Sequence, residues 1–476
     1  MFDKLQQSVD AAEKFGADFV EARYDDLTLR TLQRTDDIWK DIQIKSRMGV
    51  AITSYVEGVS GFSFSASSDT KDILIAAEKS VKMAKASAAV ASLKLPFERR
   101  DPVTSKKSDT KSVKKHPKDF DLAYKTDMVN RAVETAREFG DSIRNIRGLY
   151  GELYGPKYLA NSDGSRIEWD FLVTDLRCLV TSMTQSGAMV NGSEGKGGTY
   201  GLEIFDAKDT TPESIGEAAG SRAKEQLEAK ACPAGKFRAM TENRLTGVLA
   251  HESFGHLSEG DFVVIGGSPL TDKIGAALGT EHATIVDSGK VDIGKYGGLW
   301  LPYDDQGTPS SKTTVLDKGT LKHYLHDRGT AAKLGQDPTS NSRAVNFVFP
   351  PIPRMTNTYF APGDLTEEEA LELLGTGVYA IQSSGGQVQG DGSFLFKAIR
   401  GYWVDKGELQ YPIREVSLSG NILELLSKVE GGTKELKISS GYFGGCGKGD
   451  QYPLPTGLGG PRLVIDGVTF GGEAGA

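Results

Sequence analysis

Hydrophobic and polar positions along the first 140 residues switch between two periods. Residues 3–15 set Leu5, Val9 and Ala12 at helical spacing before Gly16, which predicts a helix with a glycine stop. From Phe19 to Ala66 the chain alternates instead, in the runs FVEARY, LTLRTLQR, DIQIKSR, GVAITSYV and GVSGFSFSA, and predicts short antiparallel strands. Helical spacing returns over 70–90 and over 119–138, the latter closed by Gly140. Between them, residues 101–118 hold six Lys and two Pro without an apolar run, and read as a solvated linker or surface loop.

Strand patterning dominates from Ile146 onward. The Asn161–Ser162–Asp163–Gly164 cluster predicts a hairpin turn. A helix is expected over 212–230, with Pro212 at its start. Further strands with Gly-rich turns run on to Phe470, interrupted by one helix at 364–374 that Asp364 is placed to cap. The pattern predicts an α+β chain: an N-terminal mixed α/β module over 1–145, with the Lys-rich linker at 101–118, then a larger Gly-rich, strand-rich domain over 146–476.

Composition sharpens this division. Of the 57 glycines, 6 lie in residues 1–150 and 51 in residues 151–476. The absence of a Gly-X-Y period excludes collagen, and the apolar runs exclude low-complexity disorder. A net charge of −8 argues against a nucleic-acid binder. No run of about 20 apolar residues is present to span a membrane, and the acidic, amphipathic N-terminus does not read as a signal peptide. Three cysteines, at 178, 232 and 446, cannot build a disulfide framework and suit a reducing cytoplasm.

The sharpest chemical signal is LTGVLAHESFGHLSEGD over 245–261, with His251, Glu252 and His256 in an H-E-x-x-x-H pattern. The zinc-protease pattern H-E-x-x-H sets two His one turn apart, with Glu as general base. Here one extra residue intervenes. Five residues of α-helix rotate through about 500°, leaving the two His roughly 140° apart and unable to face one ion. A π-type turn, at about 82° per residue, reduces the offset to near 50°. A widened or broken turn is therefore expected around Phe254–Gly255.

A catalytic zinc takes three protein ligands and a water. Cys178 lies in an apolar strand pattern and reads as a core residue, and Cys232, after a charged helix and before a proline, reads as a structural or surface thiol. Cys446 differs, because GYFGGCGKGDQ surrounds it with glycine and leaves the thiol presented by backbone alone. Such a thiol reads as a metal ligand or a nucleophile.

At this point the chain resembles the TldD/PmbA metallopeptidases, specifically the TldD-like branch. The likeness rests on HESFGHLSEGD at 251–261, DDQGTP at 304–309, PIPRMTNTYFAPG at 351–363, GGQV at 385–388, and GGCGKGDQ with LPTGLGGP at 444–461. The resemblance implies one zinc per active subunit, held by His251, His256 and Cys446, with Glu252 as the base. It also implies that 146–476 is the catalytic metallopeptidase domain. Unstructured or short peptides are the implied substrates, cut within a dimer formed with a PmbA-like subunit or with a second copy. PmbA-type relatives lack the metal motif, so this chain resembles the active type.

Peptide hydrolysis also needs a stabiliser for the developing oxyanion, and His323, His326, Tyr303 and backbone N–H groups are candidates. Extended peptides can add to a sheet edge where backbone approaches closely, which points to Gly385, Gly386, Gly444 and Gly445 as substrate-binding positions, with His323 beside them. Two other readings stay open: a binding or assembly protein with a structural zinc, and a metal-free hydrolase with Cys446 as nucleophile.

Overall fold

The computed structural model describes residues 1–291 and 297–471. It is a mixed α/β structure of the α+β kind, built around three large sheets. The first contains β1 (Phe19–Thr35), β2 (Ile38–Val56), β3 (Val59–Ser65), β4 (Ile143–Asn161), β5 (Arg166–Met183) and β6 (Met189–Gly198). All pairs are antiparallel, in the order β3-β2-β1-β4-β5-β6.

These strands are longer than the alternation alone suggests. FVEARY and LTLRTLQR merge into the 17 residues of β1, and DIQIKSR and GVAITSYV into the 19 of β2. Gly49, which looks like a strand boundary in the sequence, lies inside β2 opposite Asp25. A Cβ there would overlap the Phe347 ring, so the glycine serves close packing rather than a turn. Residues 145 and 146 are neighbours within β4, so the step in glycine content falls inside a strand, and strands from both sides of it share one sheet.

Side-chain parity explains how this sheet is covered. Four helices, α1 (Phe2–Lys14), α2 (Thr70–Ala88), α3 (Leu122–Arg137) and α4 (Pro212–Gln226), lie on one face. Val20, Ala22 and Leu32 of β1 and Leu176, Cys178 and Val180 of β5 point to that face with even numbers. The odd-numbered Leu27, Leu29, Leu153 and Val173 point the other way. There they meet Tyr442 and Leu301 from the C-terminal part. The segment 101–118 crosses the surface with two short 3-10 turns and is pinned where Asp109 accepts from the Tyr303 hydroxyl and the Trp300 indole N–H.

Residues beyond 230 form a six-stranded and a ten-stranded sheet. The largest apolar core includes the helix that carries His251, packed by Leu245, Leu249, Phe254 and Leu257. The helix expected at 364–374 is present at Glu367–Leu374, but further helices interrupt this region: Gly260–Val264, Arg328–Leu334 and Ile422–Leu426. At five to seven residues these three are too short to display a helical period. Asp364 does not cap the helix near 367. Thr366 does, accepting from the Glu369 N–H while the Glu369 carboxylate accepts from the Thr366 N–H. Among the described residues no helix is long and apolar enough to cross a membrane.

Candidate metal centre

The central helix opens at α5 (Asn243–Val248), where the Glu242 side chain accepts from the Arg244 N–H at 3.1 Å. It then widens into a π-turn over Leu249–Gly255 and tightens to a 3-10 turn at His256–Ser258. The widening falls where the His spacing requires it, and brings the His251 and His256 rings to 5.3 Å between centroids. Glycine fits at 255 because a Cβ would overlap the Met355 sulfur as it stands. About two turns earlier, Gly247 lets the helix lie directly on the backbone of Gly459.

Cys446 arrives from a different direction. It begins a short strand, Cys446–Lys448, that folds back on Gln451–Leu454. Gly445, at φ +123°, passes so close to the Leu454 carbonyl that no side chain fits. Cys446 Sγ comes within 3.3 Å of His256 Nε2. One donor atom from each of His251, His256 and Cys446 falls within 4.8 Å of the others, and among the described residues this is the one such cluster.

The surroundings suit a cation. A tetrahedral zinc with bonds of about 2.0–2.3 Å holds its donors about 3.3–3.8 Å apart, near the observed sulfur–nitrogen separation. His251 is buried and its Nδ1 has no hydrogen-bond partner. Burial opposes ionisation of Cys446, yet the two imidazoles outweigh it and hold the thiol down to about 5. A thiolate with two imidazoles is a donor set matched to zinc.

His256 is oriented from behind. Its Nδ1 lies 3.1 Å from Glu259 Oε2, and Glu259 is buried. Burial raises the Glu259 carboxyl, but His256 and Lys448 pull it below the ordinary range. An ionised Glu259 can only accept, so Nδ1 carries a proton, which leaves Nε2, the nitrogen that faces Cys446, as the one available to ligate a metal. Lys448 Nζ links Glu259 at 3.0 Å to Asp261 at 2.6 Å. Beside this cluster is a cavity of about 100 Å³ lined by His251, Glu252, Arg177, Arg244, Gly444 and Gly445, among others.

Comparison with known proteins matches this chain to the PmbA/TldA metallopeptidase central domain over residues 115–227 and to the PmbA/TldA metallopeptidase C-terminal domain over 234–472. The chain belongs to the PmbA/TldD metallopeptidase family. A metalloprotease of Methanocaldococcus jannaschii is 36% identical over 349 residues, covering 72% of this chain and 73% of that one. A metalloprotease TldD homologue of Haemophilus influenzae is 31% identical over 357 residues, covering 73% of this chain and 72% of its own. The TldE structure from Thermococcus kodakarensis shares the fold, with a TM-score of 0.77 at 15% identity over 98% of this chain and all of that one.

Within this PmbA/TldD chain, Glu252 is partly exposed at the cavity, its carboxylate 3.8 Å from His256 Nε2. Gly444 lines both this cavity and a larger adjoining groove, which Gly385 also lines. Gly386 starts the edge strand Gly386–Val388, but its lack of a side chain is explained internally, since a Cβ would overlap Phe396. The oxyanion candidates fare differently. His323 is exposed and does not line the cavity. His326 is buried and engaged with Thr330 and Gln336, and Tyr303 donates to Asp109. None of the three stands beside Glu252 in the cavity wall.

Sequence reasoning did not single out Glu259, Lys448 or Arg244. Two had a readable signal. Glu259 lies three residues beyond His256 in the same turn, and Lys448 lies two beyond Cys446 in the same strand.

Proposed function

We propose that this chain is a zinc-dependent peptidase acting on unstructured or short peptides. The carrying observation is the convergence of His251, His256 and Cys446 donors at a cavity that Glu252 also lines. When bound by these three residues, zinc supplies Lewis acidity and an acidified water. Glu252 takes a proton from the attacking water and returns it to the leaving amine, a task its partly exposed carboxylate suits. Glu259 and Lys448 act through His256 by fixing its tautomer.

Substrate reaches the centre along the adjoining groove of about 820 Å³, which shares Arg177, Gly195, Arg244 and Gly444 with the small cavity. An extended peptide suits such a channel, and the edge strand Gly386–Val388 offers free main-chain groups for pairing. The working unit in this reading is a cytoplasmic dimer, with a PmbA-like subunit or a second copy.

Zinc content and peptide hydrolysis, measured together, test the proposal. Glu252→Ala keeps zinc and loses turnover; Cys446→Ser loses or weakens zinc. Full activity in Glu252→Ala overturns the mechanism. A second reading, with Cys446 as nucleophile, has the Cys446–His256 contact in its favour. It predicts activity that survives chelation, whereas the zinc reading predicts loss on chelation and recovery on adding zinc. Four protein ligands around the ion would instead indicate a structural site.

A further inference from the structure

Arg244 stands out among the charged groups around the cavity. It lines the small cavity with His251 and Glu252 and also the larger groove. Its guanidinium has no hydrogen bond or ion pair among the described residues, although acids lie nearby. Each of those acids is already engaged. Asp175 accepts from Arg177 Nε at 3.0 Å through both carboxylate oxygens. Glu194 pairs with Arg222 at 2.8 Å. Glu242 Oε2 accepts two backbone N–H groups, from Arg244 at 3.1 Å and Gln382 at 3.2 Å. Arg177, the other arginine at this wall, is held by Asp175 and by the Phe443 carbonyl.

A half-buried guanidinium without a protein partner, at the wall of an open groove, keeps its N–H donors for an incoming anion. Burial first, and repulsion from Arg177 second, disfavour the charge on Arg244. Its planar fork matches a carboxylate with two parallel hydrogen bonds. Arg244 and His251 are seven residues apart on one helix, a rise of about 10 Å, and helical side chains lean toward the N-terminus, away from His251. That rise equals about three residues of extended peptide.

We propose that Arg244 is a specificity residue that anchors a carboxylate of the peptide substrate, about three residues from the bond that is cut. The anchor rests on the peptidase reading for its purpose but not for its test. The carboxylate comes either from the free C-terminus of a peptide or from an Asp or Glu side chain, and both present the same fork to the guanidinium.

Fluorescently labelled Ala/Ser hexapeptides separate these sources. One pair ends in a free carboxylate or a carboxamide. A second pair, amidated, carries Glu or Gln at one interior position, varied along the peptide. Binding is read by fluorescence polarisation on the full zinc-loaded Glu252→Ala chain, and hydrolysis on the parent chain. The expected result is tighter binding of the carboxylate member of one pair by about 10- to 100-fold, the range of a charge-assisted hydrogen-bonded contact. The pair that responds names the source. In Arg244→Gln the two members of each pair bind equally, and in Arg244→Lys part of the preference survives. Equal binding by the Arg244-intact chain in both pairs, or a preference that persists in Arg244→Gln, overturns the proposal. Carboxylate-dependent binding without hydrolysis by the parent chain would retain the anchor and reject the peptidase reading.

Discussion

His256 Nδ1 and Glu259 Oε2 are 3.1 Å apart, and this contact decides which ring nitrogen faces Cys446. Removing the negative charge while keeping the shape loosens that choice. Glu259→Gln is therefore expected to weaken zinc binding by about 10- to 100-fold, as other outer-shell changes do. Competition against a chromophoric chelator measures it, and an unchanged affinity would show that Glu259 does not orient the ring.

The widened turn depends on the missing side chain at Gly255. Gly255→Ala drives a methyl into the Met355 sulfur and is expected to destabilise the chain by about 1–3 kcal/mol. It should also lower zinc content, because the turn sets the angle between the two His. Met355→Ala on top of Gly255→Ala opens the space and should recover part of both losses. Thermal melts and metal analysis of Gly255→Ala, Met355→Ala and the double variant give the coupling between the two sites.

Zinc that binds only the folded chain adds stability by mass action, about 2.7 kcal/mol when free metal is 100 times its dissociation constant. Chelation should therefore lower the melting temperature of the parent chain. Cys446→Ser, missing one donor, should show a much smaller shift in calorimetry. Equal shifts in both would remove Cys446 from the metal site.

Stability also depends on pH through a buried cluster far from His251 in sequence. Burial, reinforced by Asp304, raises the Glu21 carboxyl from 4.5 to about 8, with Arg328, Gln306 and Arg23 only partly offsetting it. The folded chain thus keeps this proton where the unfolded chain releases it. The resulting stabilisation is complete below about pH 4.5 and is lost as pH rises toward 8. The slope contributed by Glu21 is on the order of 1.4 kcal/mol per pH unit inside that window. Glu21→Gln should flatten the fall of melting temperature between pH 5 and 8; an identical profile would locate the effect elsewhere.

The geometry of the candidate site was legible because it is local. The five-residue His spacing excludes a regular helix, and Gly255 marks where the distortion falls. Cys446 was legible from its flanking glycines, although its approach to His256 spans 190 residues. Arg244 was not, because an unpartnered guanidinium exists only relative to neighbours that are already engaged, and Asp175 and Glu194 come from β5 and β6. The long strands were under-read for a related reason. Gly49 looks like a break until Phe347, three hundred residues on, is seen to occupy its face. The glycine step near residue 150 reflects close backbone packing in the C-terminal sheets, as at Gly247 on Gly459, more than an edge of the fold.

The 190 residues between His256 and Cys446 also set an order of events during synthesis. Chains emerge N-terminus first at roughly 5–20 residues per second, so about 10 to 40 seconds separate the arrival of the second histidine from that of the thiol. A centre that needs all three donors stays incomplete for that whole interval. On the proposed peptidase reading, a nascent chain, or a fragment ending before Cys446, would lack the third donor and with it hydrolytic power, so no half-made peptidase would be loose among other unfolded chains.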